Sequence, residues 1–206
     1  MENSYSQLAQ DKNVYDFYKG KTTGYFVEIG AYDGIALSNT FALEKLGWRG
    51  ICCEPLPSRF ADLIKNRSAH CCNQAVYHTT GLIVSFDIEG DAGMLSGIDT
   101  HIDAHKHVVN KNKKTVTMKT ISLNDLLERF EAPNFIEYLS LDTEGSEYEI
   151  LKTLDFNKWQ FGIIDVEHNH IEPRRTMIKH LLCTNGYTYI GPNEFDDSYR
   201  LSTLNN

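Results

Sequence analysis

Two rhythms alternate along this chain: short runs of β-branched and aromatic residues, and longer stretches with apolar residues every three or four positions. Tyr5 to Lys19 predicts an amphipathic helix, with Leu8, Val14, Tyr15 and Tyr18 on one face. Tyr25 to Ile29 predicts a strand, followed by a glycine turn and a helix from about Asn39 to Leu46 that Ser38 is placed to cap. Gly47 ends that helix, and Gly50 to Cys53 predicts the next strand. A helix over about Ser58 to Asn66 leads to a strand over Cys71 to Tyr77. Strand, helix, strand, helix, strand is the order of a parallel sheet with crossover helices.

The middle is less regular. Leu82 to Ile88 and Thr115 to Thr120 alternate as strands around a polar loop, and Ser122 caps a helix to Phe130. Phe135 to Leu141 is an apolar strand ending in Asp142-Thr143-Glu144-Gly145, with a helix following to Leu154. Phe161 to Val166 predicts a further buried strand, ending in Glu167-His168. A helix over Arg174 to Thr184 and a strand over Tyr187 to Ile190 complete the pattern.

At 206 residues, 41% hydrophobic and 23% charged, the chain has the composition of one soluble globular domain over residues 1–206. No apolar run approaches the roughly 20 residues that span a bilayer. MENSYSQLAQDKN lacks the charged-then-apolar order of a signal peptide; the reducing compartment that the cysteines imply makes a cytoplasmic location the expectation. The net charge of −8 argues against nucleic acid and anionic membranes as partners. The basic run Lys111 to Lys114 reads as a solvated loop. The five cysteines, Cys52, Cys53, Cys71, Cys72 and Cys183, have no metal-knuckle spacing and read as reduced structural residues. Neighbouring cysteines on a strand point to opposite faces, so each doublet is expected to bury one thiol.

The turn after the first strand holds Glu28, Gly30, Asp33 and Gly34. Ligands of open α/β sheets bind beyond the carboxyl ends of the strands. Acids gathered there, with Glu54, Asp142 and Glu144 at later strand ends, would repel a pyrophosphate, and the glycine spacing is not that of a dinucleotide fold. S-adenosylmethionine suits the pattern better, since it has no phosphate and carries a sulfonium and an amino group. Gly30 and Gly34 would let the backbone approach its methionine end, and Glu28 or Asp33 would complement its positive groups. Asp33 has an equally good structural reading. Glu54 stands where an acid accepts hydrogen bonds from ribose hydroxyls.

EIGAYDG, SNTFALEKLGWRGICCEP, NQAV, MLSG and YLSLDTEGSEYEIL, in that order, resemble the FkbM-type S-adenosylmethionine-dependent methyltransferases. The resemblance implies a Rossmann-like class I methyltransferase fold, an α/β architecture with a mostly parallel central sheet flanked by helices, its cofactor-binding core over about 25–168. It implies methyl transfer to oxygen, commonly a hydroxyl of a sugar, glycan or polyketide. A non-carbohydrate small molecule or protein as acceptor, or a cofactor-binding module without catalysis, is the alternative reading. A glycosyltransferase would be a companion only on the glycan reading. By the same resemblance Glu28, Gly30, Ala31, Asp33 and Gly34 would hold the methionine portion, with Ser38 and Asn39 close by. Glu54 and Pro55 would take the ribose, and Asn73, Ala75 and Val76 would border the adenine. Ser96 and Gly97 would lie on the cofactor's outer side, and Asp142 by the sulfonium.

A hydroxyl must lose its proton to attack a methyl group, so a base or a divalent metal is needed. Asp142, Glu144, Glu167, His168 and His170 converge on two strand ends. Two readings stay open: Asp142, Glu167 and His168 as ligands of Mg2+ or Mn2+, or His168 as base with Asp142 or Glu167 fixing its tautomer. Glu147 reads as a helix-capping acid. His101, His105 and His107 read as a solvated loop that would serve as a lid, and Tyr32, Trp48 and Trp159 as core aromatics with a second use in sugar stacking.

Overall fold

The computed structural model describes residues 1, 3–89, 96–98 and 113–204. The chain opens with helix α1 (Gln10–Phe17), shorter than its periodicity predicts. The Asp11 carboxylate accepts from Ser4 Oγ, Ser6 Oγ and the Tyr5 amide, holding residues 4–6 in a turn. Left-handed Lys19 and Gly20 end the far side.

Strand β1 (Tyr25–Ile29), helix α2 (Phe41–Leu46), strand β2 (Arg49–Cys53), helix α3 (Pro57–Asn66) and strand β3 (His70–Cys72) follow in the expected alternation. The predicted strand over Cys71 to Tyr77 is broken in two. Asn73 Nδ2 donates to the carbonyls of Glu54 and Pro55, and beyond it β4 (Ala75–Tyr77) joins a different sheet. That second sheet adds β5 (Ile83–Glu89), β6 (Ser96–Ile98) and β7 (Lys113–Ser122) in the order β4-β7-β5-β6. Ser122 caps helix α4 (Leu123–Arg129) by accepting from the Asp125 amide, as expected.

The chain then returns to the first sheet with β8 (Phe135–Leu141), a short helix α5 (Glu147–Leu151), β9 (Gln160–Glu167), α6 (Arg174–Thr184), β10 (Tyr187–Asn193) and β11 (Asp196–Leu201). The main sheet runs β10-β11-β9-β8-β1-β2-β3, and its strands are parallel except β11, which runs against both neighbours. This is the α/β class expected. β11 escapes the sequence pattern because Asp196 and Asp197, adjacent and both buried, open it.

Alternate residues of the central strands feed two cores. Phe26, Cys52, Tyr138 and Ile163 pack on the face of α1, α2 and α3, and Val27, Cys53, Leu139 and Ile164 on the face of α4, α5 and α6. Strands buried on both faces need no polar alternation, which explains their near-continuous apolar runs. Both thiols of the Cys52–Cys53 doublet are therefore buried, one in each core, whereas Cys71 is half-buried and Cys72 buried. The order of connection reverses between β1 and β8, and a crevice opens there at the strands' carboxyl ends.

Candidate active site

The turn after β1 spends its acids on itself. Glu28 accepts from Ser38 Oγ, the Asn39 amide and Thr40 Oγ1, and pairs with Arg67 Nη1 at 3.0 Å. Arg67 also donates to the Gly34 carbonyl, Ser38 Oγ, Thr40 Oγ1 and Glu44. Asp33 Oδ1 accepts from the Ile35 and Ala36 amides and so closes its own turn. Neither acid is the free partner for a cation that the sequence suggests. The glycines too have local causes. A Cβ on Gly30 would lie 2.1 Å from the Asp142 carbonyl oxygen, and one on Gly34 would meet Arg67 and Leu63 at 2.7 Å. Both glycines sit at positive φ. Ser38 Oγ accepts from the Phe41 amide, in the capping role expected of it.

Glu54, just past β2, is fixed through both oxygens: Oε1 accepts from the Leu56 amide and Oε2 from the Tyr32 amide. Burial pushes its carboxyl up to about 7, against those two hydrogen bonds. It lines a cavity with Tyr32, Pro55, Leu56, Ala75, Val76 and Phe86. Asn73, expected beside the adenine, clamps the strand ends instead, and Gln74 faces the cavity in its place. A second cavity lies across the turn, lined by Gln7, Gln10, Glu28, Ala31, Ser38, Asn39, Asp165 and Asp196 among others. The two share Gly30, Tyr32 and Asp142. Arg59 stands 4.4 Å over the Tyr32 ring at this junction, while Trp48 and Trp159 are core residues.

The turn after β8 supplies the next group. Glu147, buried, accepts on Oε1 from the Thr143 amide, Thr143 Oγ1 and the Gly145 amide, so it clamps the turn before its helix rather than capping the helix. This clamp holds Glu144 at a φ of 57°, a left-handed conformation costly outside glycine. Asn169 and His170, across the crevice, are left-handed too. Asn169 Nδ2 donates to Glu144 Oε2 at 3.4 Å. Strained residues on both lips of one crevice point to a functional site.

Asp142, Glu144 and Glu167 bring carboxylate oxygens within 4.8 Å of one another. Crowding by protein pushes Asp142 up to about 6, an effect that its exposure to solvent moderates. Burial, then Asp142 and Glu147, push Glu144 up to about 9. Glu167, more deeply buried, is also raised, by burial and then by Asp142, Glu144 and Glu147. Its Oε2 is buried with no hydrogen-bond partner.

His168 does not join them. Its Nδ1 accepts from the His170 amide at 2.9 Å, and Nε2 stands 3.5 Å from Asp197. Burial lowers its pKa and keeps it neutral. Neighbouring residues of a strand end face opposite ways, so Glu167 turns into the crevice and His168 away. Glu144 takes the place in the cluster expected of His168. Asp196 closes the second cavity, accepting from Gln10 Nε2 at 2.7 Å, and burial pushes it up to about 7. Ser96 and Gly97 pair with Ile88 and Asp87 through their backbones in β6. His101, His105 and His107 lie outside the described residues. Among the described residues no helix is long and apolar enough to cross a membrane.

No curated protein matches the sequence. Among solved structures, a precorrin-6y C5,15-methyltransferase from Geobacter metallireducens superposes with a TM-score of 0.46 at 11% identity, covering 92% of this chain and 84% of that one. An O-methyltransferase from Bacillus cereus, solved in complex with SAH, does so with a TM-score of 0.46 at 12% identity, covering 97% and 81%. Scores this low decide neither fold nor substrate. The family model for the methyltransferase FkbM domain matches residues 28–190, and the chain belongs to that family of methyltransferases.

Proposed function

We propose that this protein is an S-adenosylmethionine-dependent O-methyltransferase acting on a hydroxyl of a sugar or glycan, assisted by a divalent cation. The observation that carries the reading is the position of Asp142, shared by both cavities and joined to Glu167.

The residues present fit the cofactor. The cavity beside Glu54 combines apolar walls from Leu56, Val76 and Phe86 with a buried acid, which suits a nucleoside. Glu54 would accept from the ribose hydroxyls, because each of its oxygens keeps a lone pair beyond the amide it already holds. The cavity beyond Gly30 is polar and acidic, which suits the amino-acid end, with Asn39, Ser38 and Asp142 among its lining side chains. Once bound, S-adenosylmethionine supplies the methyl group.

The residues also fit a cation. Asp142, Glu144 and Glu167 form an all-oxygen set of the kind Mg2+ and Mn2+ prefer, and the orphaned Oε2 of Glu167 is a ligand atom without a partner. A divalent ion there would lower the acceptor hydroxyl's pKa. The chain's own part is alignment: the clamp by Glu147 fixes Glu144, and the sheet fixes Asp142 against Glu167. A cytoplasmic setting and glycan-building companions go with this reading.

Isothermal titration with S-adenosylmethionine, followed by labelled methyl transfer to sugars, phenols and peptides with and without chelator, tests it. Binding together with cation-dependent transfer to a sugar is the expected result. No binding by the native protein would end the proposal, and transfer only to phenols or peptides would end its carbohydrate part.

A further inference from the structure

The floor of the nucleoside cavity contains chemistry that methyl transfer does not use. Cys53 ends β2, and Cys72 ends the adjacent parallel strand β3. The two stand directly opposite in register. Neighbouring strands lie about 4.8 Å apart, inside the Cα separation of about 4.4–6.8 Å that a disulfide needs. Both side chains lie in the same buried core.

Their surroundings differ in kind. Cys53 is fully buried on the protein side, lines the cavity, and is pushed up by burial. Cys72 is brought down to about 7 by the adjacent Cys53 thiol and by Arg129, against burial. Arg129 Nη1 lies 4.0 Å from Cys72 Sγ and also holds Gln74, another cavity residue. A thiolate beside a guanidinium, with a second thiol in contact, is the arrangement of an attacking and a resolving cysteine.

The pair is wired into the site. The Cys53 carbonyl accepts from the Gly30 and Ala31 amides, and the Cys72 carbonyl accepts from the Glu54 amide. A bridge would therefore lock the spacing of the two strand ends that carry Glu54 and hold the β1 turn.

We propose that Cys53 and Cys72 are an oxidative modification site, a dithiol that hydrogen peroxide closes to a disulfide and that thereby weakens cofactor binding. The Cys72 thiolate attacks one peroxide oxygen, giving a sulfenic acid and hydroxide. The Cys53 sulfur then attacks the Cys72 sulfur, its proton leaves, and water departs. In sum, two thiols and one peroxide give one disulfide and two waters. A thiol reductant reverses the change. Because Cys53 faces the cavity, a bound nucleoside shields it. The effect on affinity rests on the cofactor reading above, whereas the bridge itself does not.

The test treats the purified protein with hydrogen peroxide, with and without S-adenosylhomocysteine. Peptides are mapped without reduction, and S-adenosylhomocysteine affinity is titrated before oxidation, after it, and after dithiothreitol. The expected result is a Cys53–Cys72 peptide, slower to form with ligand present, and affinity weakened by about tenfold or more and restored by reductant. Cys72→Ala and Cys72→Ser, checked for folding by thermal melting, should keep the starting affinity and lose the peroxide response. A bridge at Cys52–Cys71 or through Cys183 instead would overturn the site. A Cys53–Cys72 bridge with unchanged affinity would overturn the switch. Should the reduced protein fail to bind S-adenosylhomocysteine at all, the functional reading fails, and the peptide map alone still decides the dithiol.

Discussion

Arg67 Nη1 stands 3.0 Å from Glu28 Oε2, and neither side chain is more than 3% exposed. One buried cation from the end of α3 thus neutralises the acid that opens the glycine turn, while its other nitrogens hold Gly34, Ser38, Thr40 and Glu44. The turn is a closed electrostatic unit. Positive charge in the crevice is left to Asp142 and its neighbours, one strand away.

Breaking that pair strands a charge. Arg67→Met keeps the bulk of the stem but leaves Glu28 buried and unpaired, and it is expected to lower stability by about 3–5 kcal/mol. The double variant Arg67→Met with Glu28→Gln removes both charges and should lose clearly less. Urea unfolding at neutral pH measures both. A single-variant loss below about 1 kcal/mol would mean the pair contributes no more than a surface one.

Gly30 and Gly81 separate two causes of glycine dependence. Each has positive φ, at 89° and 87°. A Cβ on Gly81 meets nothing within 4 Å, so Gly81→Ala should cost only the left-handed backbone, about 1–2 kcal/mol. Gly30→Ala adds a clash with the Asp142 carbonyl, which is backbone in the neighbouring strand and cannot swing aside. Thermal melts should show Gly30→Ala much the worse of the two. Equal melts would remove the close approach of the two turns as a constraint.

Glu54 ties fold and ligand to pH in opposite directions. Its carboxyl titrates near 7 when folded against an ordinary value of 4.5. The folded state therefore binds the proton more tightly, so this group's contribution to stability is full below about 4.5 and lost as pH rises through about 7. Ribose hydroxyls donate best to the ionised form, so cofactor affinity should rise over that same range. Glu54→Gln should flatten both dependences and weaken binding by roughly 1–3 kcal/mol. Titrations with S-adenosylmethionine at pH 6 and pH 8, beside denaturant melts of the free protein, read the two trends. Affinity independent of pH in the native protein would mean that Glu54 does not meet the ribose.

Much of this was legible in the chain. The short apolar runs and the period-3.6 stretches between them place the alternation from β1 to β3, and the strand-end acids locate the crevice, because both depend on local rules. The rest depends on contacts distant in sequence. Arg67 reads as an exposed cation closing a helix until Glu28 and Glu44 are seen around it. Phe86 and Gln10 reach the cavities from a separate sheet and from the N-terminal segment. The position of His168 was readable in principle, since strand alternation places it opposite Glu167. The tempting Glu-His pairing hid that simpler signal.

That alternation makes the sharpest distinction among the candidate catalytic groups. Asp142, Glu144 and Glu167 share the crevice, and His168 faces Asp197 on the other side of the strand end. Glu167→Gln keeps the shape but takes away the carboxyl group whose Oε2 is left without a partner, and should lower kcat by about 10²–10⁴-fold, with cofactor affinity nearly unchanged. His168→Gln loses only a buried neutral ring and its bond from the His170 amide, so it should cost some stability while kcat per folded molecule stays within about tenfold. Chelation should mimic Glu167→Gln, with manganese restoring the native protein and not the variant. If instead chelation spares turnover and His168→Gln abolishes it, proton removal falls to the imidazole, and the carboxylate cluster serves only to hold charge.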